Sequence, residues 1–325
     1  MRSDLSHANS ERVAVSDLTL VELFAGIGGF SCGFERAGVR TVAAVEIDPV
    51  ARSVLAKNYP AVALFDDVTK VGGDELRAVG FVPGRGIITA GWPCQDISIA
   101  GRGAGLAGDR SGLFDEVVRL INDLQPAWFV LENVPRLLSI NEGRDMGTVV
   151  GNLAECGYSF AWRVLDSSGF GVPQQRRRIF FVGHLGADNG FAAEVLFESE
   201  SGGGDHCASQ ASKKTVAGTR PGRLRTVGGA VAALTATGVG TCGADDNQAQ
   251  AGHLVVAPTG VRRVIPLECE RLQGFPDHWT SGQSDAARYR MLGNAVAVPV
   301  VEWIAKRLVE VDERMESGQR REGDH

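Results

Sequence analysis

Residues 18–30 read LTLVELFAGIGGF, an apolar run that ends in a turn with three glycines. The run predicts a buried first strand, and the glycines predict a tight turn into a helix that reaches residue 37. In a parallel α/β sheet, a nucleotide-like ligand binds at this junction. Ser31 stands where a diphosphate-binding fingerprint has its last glycine, so a plain connection and a site for a ligand without phosphate both stay open.

Apolar runs and helical patterns alternate along the first half of the chain. Strand-like runs cover residues 18–23, 41–45, 86–90, 127–131 and 178–182. Helical patterns lie between them, at residues 50–58, 113–124 and 146–156. This alternation predicts an α/β fold with a doubly wound, mostly parallel sheet.

The texture of the sequence changes after residue 183. Residues 186–253 are rich in Gly, Ser, Asp and Thr, so we expect a smaller, loop-rich, mainly β region there. Helical periodicity returns at residues 299–308, where Pro299 suits the first turn of a helix. Residues 313–325 are polar and are expected to fray.

Composition excludes several classes of protein. The chain has 325 residues, 44% hydrophobic and 22% charged, which is typical of a folded globular protein. It has no apolar run long enough for a transmembrane helix, and its polar N-terminus lacks a signal core, so we expect a cytoplasmic protein. The six cysteines include no C-x-x-C pair, which argues against a disulfide framework and a metal site.

Charge gives two opposing indications about nucleic acid. The formal net charge is −6, which by itself disfavours a nucleic-acid partner. Residues 213–225, here called the basic run, nevertheless contain no acidic residue and five basic ones: Lys213, Lys214, Arg220, Arg223 and Arg225. The basic run predicts phosphate contacts, and a solvated loop is the alternative.

Carboxylates follow the second and third predicted strands. Glu46 ends the second strand, where it can accept hydrogen bonds from two ribose hydroxyls. Asp67 lies at the predicted end of a third strand and could accept a hydrogen bond from an adenine amino group. With the glycine turn, these carboxylates favour a nucleoside ligand without phosphate over NAD.

Two further motifs place reactive side chains after strands. In GWPCQDIS (residues 91–98), a thiolate at Cys94 could act as a nucleophile, and a buried, inert cysteine is the alternative. Glu132 follows the run at residues 127–131. It could be a general acid if its pKa is raised, or an ordinary capping or surface residue.

The motif QQRRR at residues 174–178 precedes another apolar run. Alternation in one strand would put Gln174, Arg176 and Arg178 on one face and the two intervening residues on the other. An arginine face directed into an anionic crevice would be functional, and solvated arginines at the edge of the sheet are the alternative.

In this order and spacing, the motifs resemble those of bacterial cytosine-5 DNA methyltransferases of the restriction-modification type. The resemblance runs from about residue 18 to residue 308 and includes RLQGFP (residues 271–276) and LGNAV (residues 292–296). It implies the Rossmann-like fold of class I S-adenosyl-L-methionine-dependent methyltransferases. It further implies a catalytic domain at residues 1–184 and 285–325, with a target-recognition domain at residues 185–284.

The resemblance implies a catalytic set. Cys94, preceded by Pro93, is the implied nucleophile that attacks carbon 6 of a cytosine flipped out of the duplex. Glu132 is implied to bind N3 and the amino edge of the base. Arg178 is implied to contact the base oxygen, and Arg176 to support the cysteine loop.

The resemblance also implies S-adenosyl-L-methionine as the cofactor and duplex DNA as the substrate, with no metal ion. The implied cofactor residues are Phe24, Ala25, Gly26, Gly28, Gly29, Glu46, Ile47, Asp67, Val68, Leu113, Asn294 and Val296. The implied DNA contacts are Gln95, Ser98 and the basic run. We expect a monomer that is either the protective partner of a restriction endonuclease encoded nearby or an orphan methylase.

Four positions depart from the family's usual motifs. Glu22 stands where Asp begins the first motif, and Trp92 replaces the first proline of Pro-Pro-Cys, as in one branch of the family. Ala295 takes the place of Ser in Gly-Asn-Ser-Val. Ala233, before Leu234, stands where the family commonly has the Thr of a Thr-Leu pair.

Three other functions compete with this interpretation. An RNA cytosine-5 methyltransferase of the tRNA-acting branch would share the chemistry, although residues after 183 resemble the DNA-acting bacterial members. A catalytically inactive DNA-binding homologue is disfavoured because Cys94, Glu132 and Arg178 are all present. A NAD-dependent oxidoreductase fails on the glycine pattern.

Overall fold

The structure is a computed structural model that describes residues 16–93, 112–186, 190–198, 231–232, 234, 254–257 and 260–322. Its strands are β1 (Thr19–Leu23), β2 (Arg40–Val45), β3 (Ala63–Phe65), β4 (Gly86–Gly91), β5 (Trp128–Asn133), β6 (Tyr158–Asp166), β7 (Gln174–Gln175), β8 (Arg177–Leu185), β9 (Val231–Ala232), β10 (Leu254–Ala257) and β11 (Gly260–Arg263). Its helices are α1 (Gly29–Arg36), α2 (Pro49–Asn58), α3 (Gly73–Ala78), α4 (Gly112–Leu124), α5 (Arg144–Glu155), α6 (Phe191–Leu196), α7 (Pro266–Gln273), α8 (Asp285–Asn294) and α9 (Val298–Glu322).

The main sheet has seven strands in the order β3-β2-β1-β4-β5-β8-β6. Strands β1 to β5 run parallel, whereas β8 runs antiparallel to both β5 and β6. The strand order reverses between β1 and β4, which makes the sheet doubly wound. The predicted α/β fold class is therefore confirmed.

Helices cover both faces of this sheet. Residues of α4 and α5 pack on one face, and residues of α1, α6 and α9 pack on the other. Within β1, Val21 belongs to the first cluster and Leu20 to the second, because successive residues of a strand point to opposite faces. Both faces of the central strands are buried, as the continuous apolar runs in the sequence indicate.

Apart from the C-terminal helix, the strands and helices predicted from the sequence lie within three residues of the observed bounds. The region expected to be loop-rich and mainly β also contains the short helix α6, whose Ala192, Val195 and Leu196 pack against the apolar cluster on α9. The expectation of fraying after residue 312 is wrong. Helix α9 continues to Glu322, beyond the point where fraying was expected.

A buried acid fixes the distal part of α9. The Oδ1 atom of Asp312 accepts a hydrogen bond from Trp128 Nε1 at 2.9 Å, and Oδ2 pairs with Arg85 Nη1 at 2.9 Å. Asp312 is only 4% exposed. The polar sequence after residue 311 therefore contains an inward-facing anchor, which polarity alone does not reveal.

Glu22 joins β1 to the start of α1. Its Oε1 atom accepts a hydrogen bond from the Phe30 amide at 3.1 Å, and Oε2 accepts one from the Ser31 amide at 2.8 Å and another from the Ser31 hydroxyl. The first amides of a helix have no partner within the helix, so this carboxylate acts as a cap supplied by the neighbouring strand. Burial raises the pKa of Glu22 to about 7.

No helix in the described part of the chain is long and apolar enough to cross a membrane. Within the same residues, no group of three His, Cys, Asp or Glu side chains is arranged to hold a metal ion.

The pKa of Glu22 predicts how stability changes with pH. Between its ordinary pKa of 4.5 and the folded value of about 7, the folded chain keeps a proton that the unfolded chain releases. The free energy of unfolding should therefore decrease as pH rises through this interval, by up to about 3 kcal/mol from this group. Urea unfolding at pH 4.5, 6 and 7.5 measures this change. With rising pH, the free energy of unfolding should decrease less for Glu22→Gln than for the wild type. Parallel pH dependences would contradict the assignment.

Candidate active site

The carboxyl ends of the parallel strands meet at one edge of the sheet. Leu23 of β1 pairs with Val45 of β2 and with Ala90 of β4, and Gly91 pairs with Glu132 of β5. The glycine turn, the end of β2 and the ends of β4 and β5 are therefore neighbours. In a doubly wound sheet, this edge is where ligands bind.

The glycine turn has a backbone that other residues rarely adopt. The φ angles of Gly26 and Gly28 are +54° and +83°. A Cβ atom on Gly28 would lie 2.8 Å from Tyr59 Cε2, whereas nothing lies within 4 Å of the corresponding position on Gly26. Phe24, half-buried, and Ala25, buried, lead into the turn. The open space beside Gly26 leaves room for a ligand close to the backbone.

Glu46 is tied to the turn by its side chain. Its Oε2 atom accepts a hydrogen bond from the Gly26 amide at 2.7 Å, and Oε1 accepts one from the Asp48 amide at 2.8 Å. Each oxygen keeps capacity for a further hydrogen bond. The next residue, Ile47, is 74% exposed, which is unusual for a large apolar side chain beside the sheet.

Asp67 lies two residues beyond β3 and is held in a local turn. Its Oδ1 atom accepts hydrogen bonds from the Thr69 amide at 3.0 Å and the Thr69 hydroxyl at 2.7 Å, and Oδ2 faces Lys70 Nζ at 3.2 Å. The contacts with Thr69, and secondarily Lys70, lower the pKa of Asp67. Val68 is buried and Leu113 is half-buried in the apolar cluster that includes residues of α4 and α5.

Glu132 and Arg178 form an ion pair between adjacent strands. Arg178 Nε lies 2.9 Å from Glu132 Oε1, and the two side chains are only 19% and 13% exposed. Burial raises the pKa of Glu132, while Arg178 and then Arg176 oppose that shift. A Cβ atom on Gly91 would lie 3.3 Å from Glu132 Oε2, so the glycine leaves room for the carboxylate.

A single strand was predicted for the QQRRR motif. In the structure, strand pairing breaks at Arg176, between β7 and β8. The predicted alternation nevertheless appears in burial: Gln174 and Arg176 are buried and Arg178 half-buried, whereas the residues between them are exposed. The break occurs because Arg176 turns inward to backbone carbonyls. Its Nη1 donates to Leu234 O at 2.9 Å, and its Nη2 donates to Gly293 O at 3.1 Å.

Leu234 is held through both its backbone N–H and its backbone C=O. Its amide donates to Gln174 Oε1 at 3.1 Å, while its carbonyl accepts from Arg176. Gln174 Nε2 also donates to Leu272 O at 2.9 Å. These buried contacts join β7 to Leu234 and to α7, which both belong to the predicted recognition domain. The expected support of the cysteine loop by Arg176 stays a prediction.

The predicted cofactor residues near the C-terminus occupy different environments. Asn294, the last residue of α8, is exposed, whereas Val296 is buried. A Cβ atom on Gly29 would lie 2.6 Å from Val296 Cγ1, so Val296 packs directly on the start of α1. This contact makes Val296 a support for the glycine turn.

Part of the predicted site lies outside the described residues: Cys94, Gln95, Ser98, Lys213, Lys214, Arg220, Arg223 and Arg225. The chain leading to Cys94 is described. Trp92 is 4% exposed, with its ring 5.1 Å from Phe114 and 6.3 Å from Phe181, and its carbonyl accepts from Asn133 Nδ2 at 3.3 Å. Pro93 is exposed. A buried tryptophan at the family's proline position therefore anchors the entry to the cysteine motif.

Sequence reasoning missed residues that support the site from distant parts of the chain. Arg119 of α4 donates to the carbonyls of Val68 and Val71 at 3.0 and 2.9 Å and so fixes the loop after β3. Trp279 donates to the carbonyl of Ile27 in the glycine turn at 2.8 Å. The only indication in the sequence that Trp279 supports the site is its position close to the RLQGFP motif.

The order of the strands and the residues at their carboxyl ends identify the fold as that of a Rossmann-like methyltransferase. The chain is similar to the crystal structure of the S. pombe Dnmt2 methyltransferase, with a TM-score of 0.64 at 20% identity, over 90% of this chain and 98% of that one. The family model for C-5 cytosine-specific DNA methylase matches residues 18–217 and 208–310. The chain belongs to this family, as the resemblance indicated.

Curated bacterial relatives extend over most of the chain. Type II methyltransferase M2.BsuMI of Bacillus subtilis (strain 168) is 33% identical over 311 residues, which cover 90% of this chain and 75% of that protein. Type II methyltransferase M.NlaX of Neisseria lactamica is 33% identical over 304 residues, which cover 89% of this chain and 95% of that protein.

Two substitutions in the glycine turn separate backbone strain from steric conflict. Gly26→Ala should lower the free energy of unfolding by about 1 kcal/mol, because only the positive φ is strained. Gly28→Ala should lower it by about 2–4 kcal/mol, because its Cβ also overlaps Tyr59. Chemical denaturation of both variants measures the difference. Equal losses would show that Tyr59 does not confine the turn.

Proposed function

We propose that this protein transfers a methyl group from S-adenosyl-L-methionine to carbon 5 of cytosine within a specific sequence of duplex DNA, as a DNA (cytosine-5-)-methyltransferase. The observation that carries the proposal is the partly buried Glu132–Arg178 pair, which lies at the strand end next to the Trp92-Pro93 entry to the cysteine motif. Family membership and the Type II methyltransferase relatives support the same activity.

The residues at the ends of β1 to β3 fit S-adenosyl-L-methionine. Glu46 and Asp67 can accept hydrogen bonds from ribose hydroxyls and an adenine amino group, and exposed Ile47 offers an apolar surface to the base. The space beside Gly26 admits the rest of the molecule close to the turn. Ser31 in place of the last glycine of the diphosphate-binding pattern favours a ligand without phosphate. When bound, the cofactor supplies an electrophilic methyl group on sulfonium.

The remaining chemistry belongs to the base pocket. Carbon 5 of cytosine is a poor nucleophile, so the thiolate of Cys94 would first add to carbon 6. Glu132 would hold a proton at N3 and so stabilise the charge that the addition creates. Carbon 5 then takes the methyl group, a base such as water removes the proton from carbon 5, and the Cys94 thiolate leaves. The base must be flipped out of the duplex first.

The environment of Glu132 supports this role. Burial raises its pKa and so favours the proton that N3 requires, while Arg178 limits the shift. Arg178 is bound through Nε to Glu132, and its fork has further donors for the base oxygen. A carboxyl group and an arginine held together can therefore read neighbouring polar atoms of one base edge.

The DNA-reading surface is proposed to lie between about residues 186 and 261 of the target-recognition domain (residues 185–284), with the basic run as its phosphate contact. Residues 1–184 and 285–325 would form the catalytic domain. Cluster packing also joins Val264, Leu272 and Phe275 to Ile27 and Cys32, so part of the proposed recognition domain is packed on the catalytic one. We propose a monomer that either protects DNA beside a cognate endonuclease or acts as an orphan methylase.

Covalent trapping tests the reaction and the nucleophile together. Duplex DNA with 5-fluorocytosine at the target cytosine should stay bonded to the wild type in the presence of S-adenosyl-L-methionine, because fluorine cannot leave as a proton. The adduct should persist in Cys156→Ser, a control at a buried cysteine that directly follows α5, and disappear in Cys94→Ser. Denaturing gels detect it.

The same assay distinguishes duplex DNA from tRNA as the substrate. Trapping on duplex DNA but not on tRNA with the same fluorinated base supports the proposed function. Trapping on tRNA alone would transfer the proposal to an RNA methyltransferase, and an adduct that survives Cys94→Ser would remove Cys94 as the nucleophile.

A further inference from the structure

The segment between α7 and α8 is fastened to α2, beside the proposed cofactor site. Lys57 Nζ donates to Ser281 Oγ at 2.6 Å. Asn58 Nδ2 donates to Trp279 O at 3.1 Å. These contacts join positions more than 200 residues apart in sequence, and they place one aromatic side chain against the glycine turn.

That side chain is Trp279. Its Nε1 donates to the carbonyl of Ile27 at 2.8 Å. Its ring meets Tyr59 edge-on at 5.6 Å between centroids and lies 5.5 Å from Phe275. Trp279 is half-buried, and its polar and apolar atoms both have partners.

The contact with Ile27 fixes one peptide plane of the turn. The carbonyl of the Ile27–Gly28 peptide accepts from Trp279, and its N–H donates to Ala25 O at 2.8 Å. The C=O and N–H of a trans peptide point in opposite directions, so the plane is held on both sides. Tyr59, supported by the Trp279 ring, closes the space beside Gly28.

Trp279 is itself positioned by a buried acid. Glu270 of α7 is fully buried and accepts hydrogen bonds from the amides of His278 and Thr280, each at 2.9 Å. It also pairs with Arg288 Nη2 at 3.1 Å. The residues on both sides of Trp279 are thus fixed by one carboxylate, which orients the indole before any ligand binds.

We propose that Trp279 is a positioning residue for the cofactor site, which it serves by holding the Ile27–Gly28 peptide in the plane that the ligand requires. The inference rests on the proposed function. Trp279 acts on the turn after β1, whereas the base pocket lies at the ends of β4 and β5. Loss of the indole N–H should therefore weaken cofactor binding and leave the chemical step unchanged.

Trp279→Phe tests this, because it removes the N–H and keeps an aromatic ring. Calorimetry should show the Kd for S-adenosyl-L-methionine rising about three- to tenfold, the range expected for one neutral hydrogen bond. The rate of methyl transfer at saturating cofactor should stay within about twofold of the wild type. Trp303→Phe is the matched control. Trp303 lies on α9 and is also half-buried, but its ring packs against Phe170. The Kd of the Trp303→Phe variant for S-adenosyl-L-methionine should equal that of the wild type.

A second replacement covers the case in which Trp279→Phe does not fold. Benzothienylalanine at position 279 exchanges the N–H for sulfur and keeps the two-ring shape, and it should raise the Kd by a similar factor. Unchanged cofactor affinity in the folded variant overturns the inference and leaves the proposed function intact. Failure of the wild type to bind S-adenosyl-L-methionine overturns the proposed function and this inference with it.

Discussion

The ion pair between Glu132 and Arg178 depends on the direction of a single strand. Because β8 runs antiparallel to β5, its amino end lies beside the carboxyl end of β5, and Arg178 comes within 2.9 Å of the carboxylate. In a wholly parallel sheet, the start of β8 would lie at the opposite edge. The antiparallel strand therefore brings a cation to the edge where the parallel strands already collect carboxylates.

The elements around this pair are arranged so that it can stay buried. Gly91 leaves room for the Glu132 side chain, and Arg176 turns away to the carbonyls of Leu234 and Gly293. A buried carboxylate without a partner would be neutralised or would destabilise the fold. Here the arginine compensates it in part, so Glu132 keeps a raised pKa at a strand end. Stability and the proposed chemistry thus depend on the same contact.

The sequence was sufficient for the fold class and for the bounds of most of the central strands and helices. Strand ends could be located because the apolar runs of β2 and β5 are visible in the sequence, and this put Glu46 and Glu132 at the same edge of the sheet. Contacts between distant segments could not be predicted, since nothing near Trp279 or Asp312 indicates its partner. The length of helix α9 and the break at Arg176 were mispredicted for the same reason: the partners of Asp312 and Arg176 lie in distant parts of the chain.

The joint action of Glu132 and Arg178 is tested most directly by a double-mutant cycle on the single-turnover rate of methyl transfer to duplex DNA. If the pair binds the base edge as one unit, Glu132→Ala with Arg178→Ala should be about as slow as the slower single variant, since each change already removes the unit. If instead the double variant loses the product of the two single losses, the residues act independently, and the pair is not the feature on which the site depends.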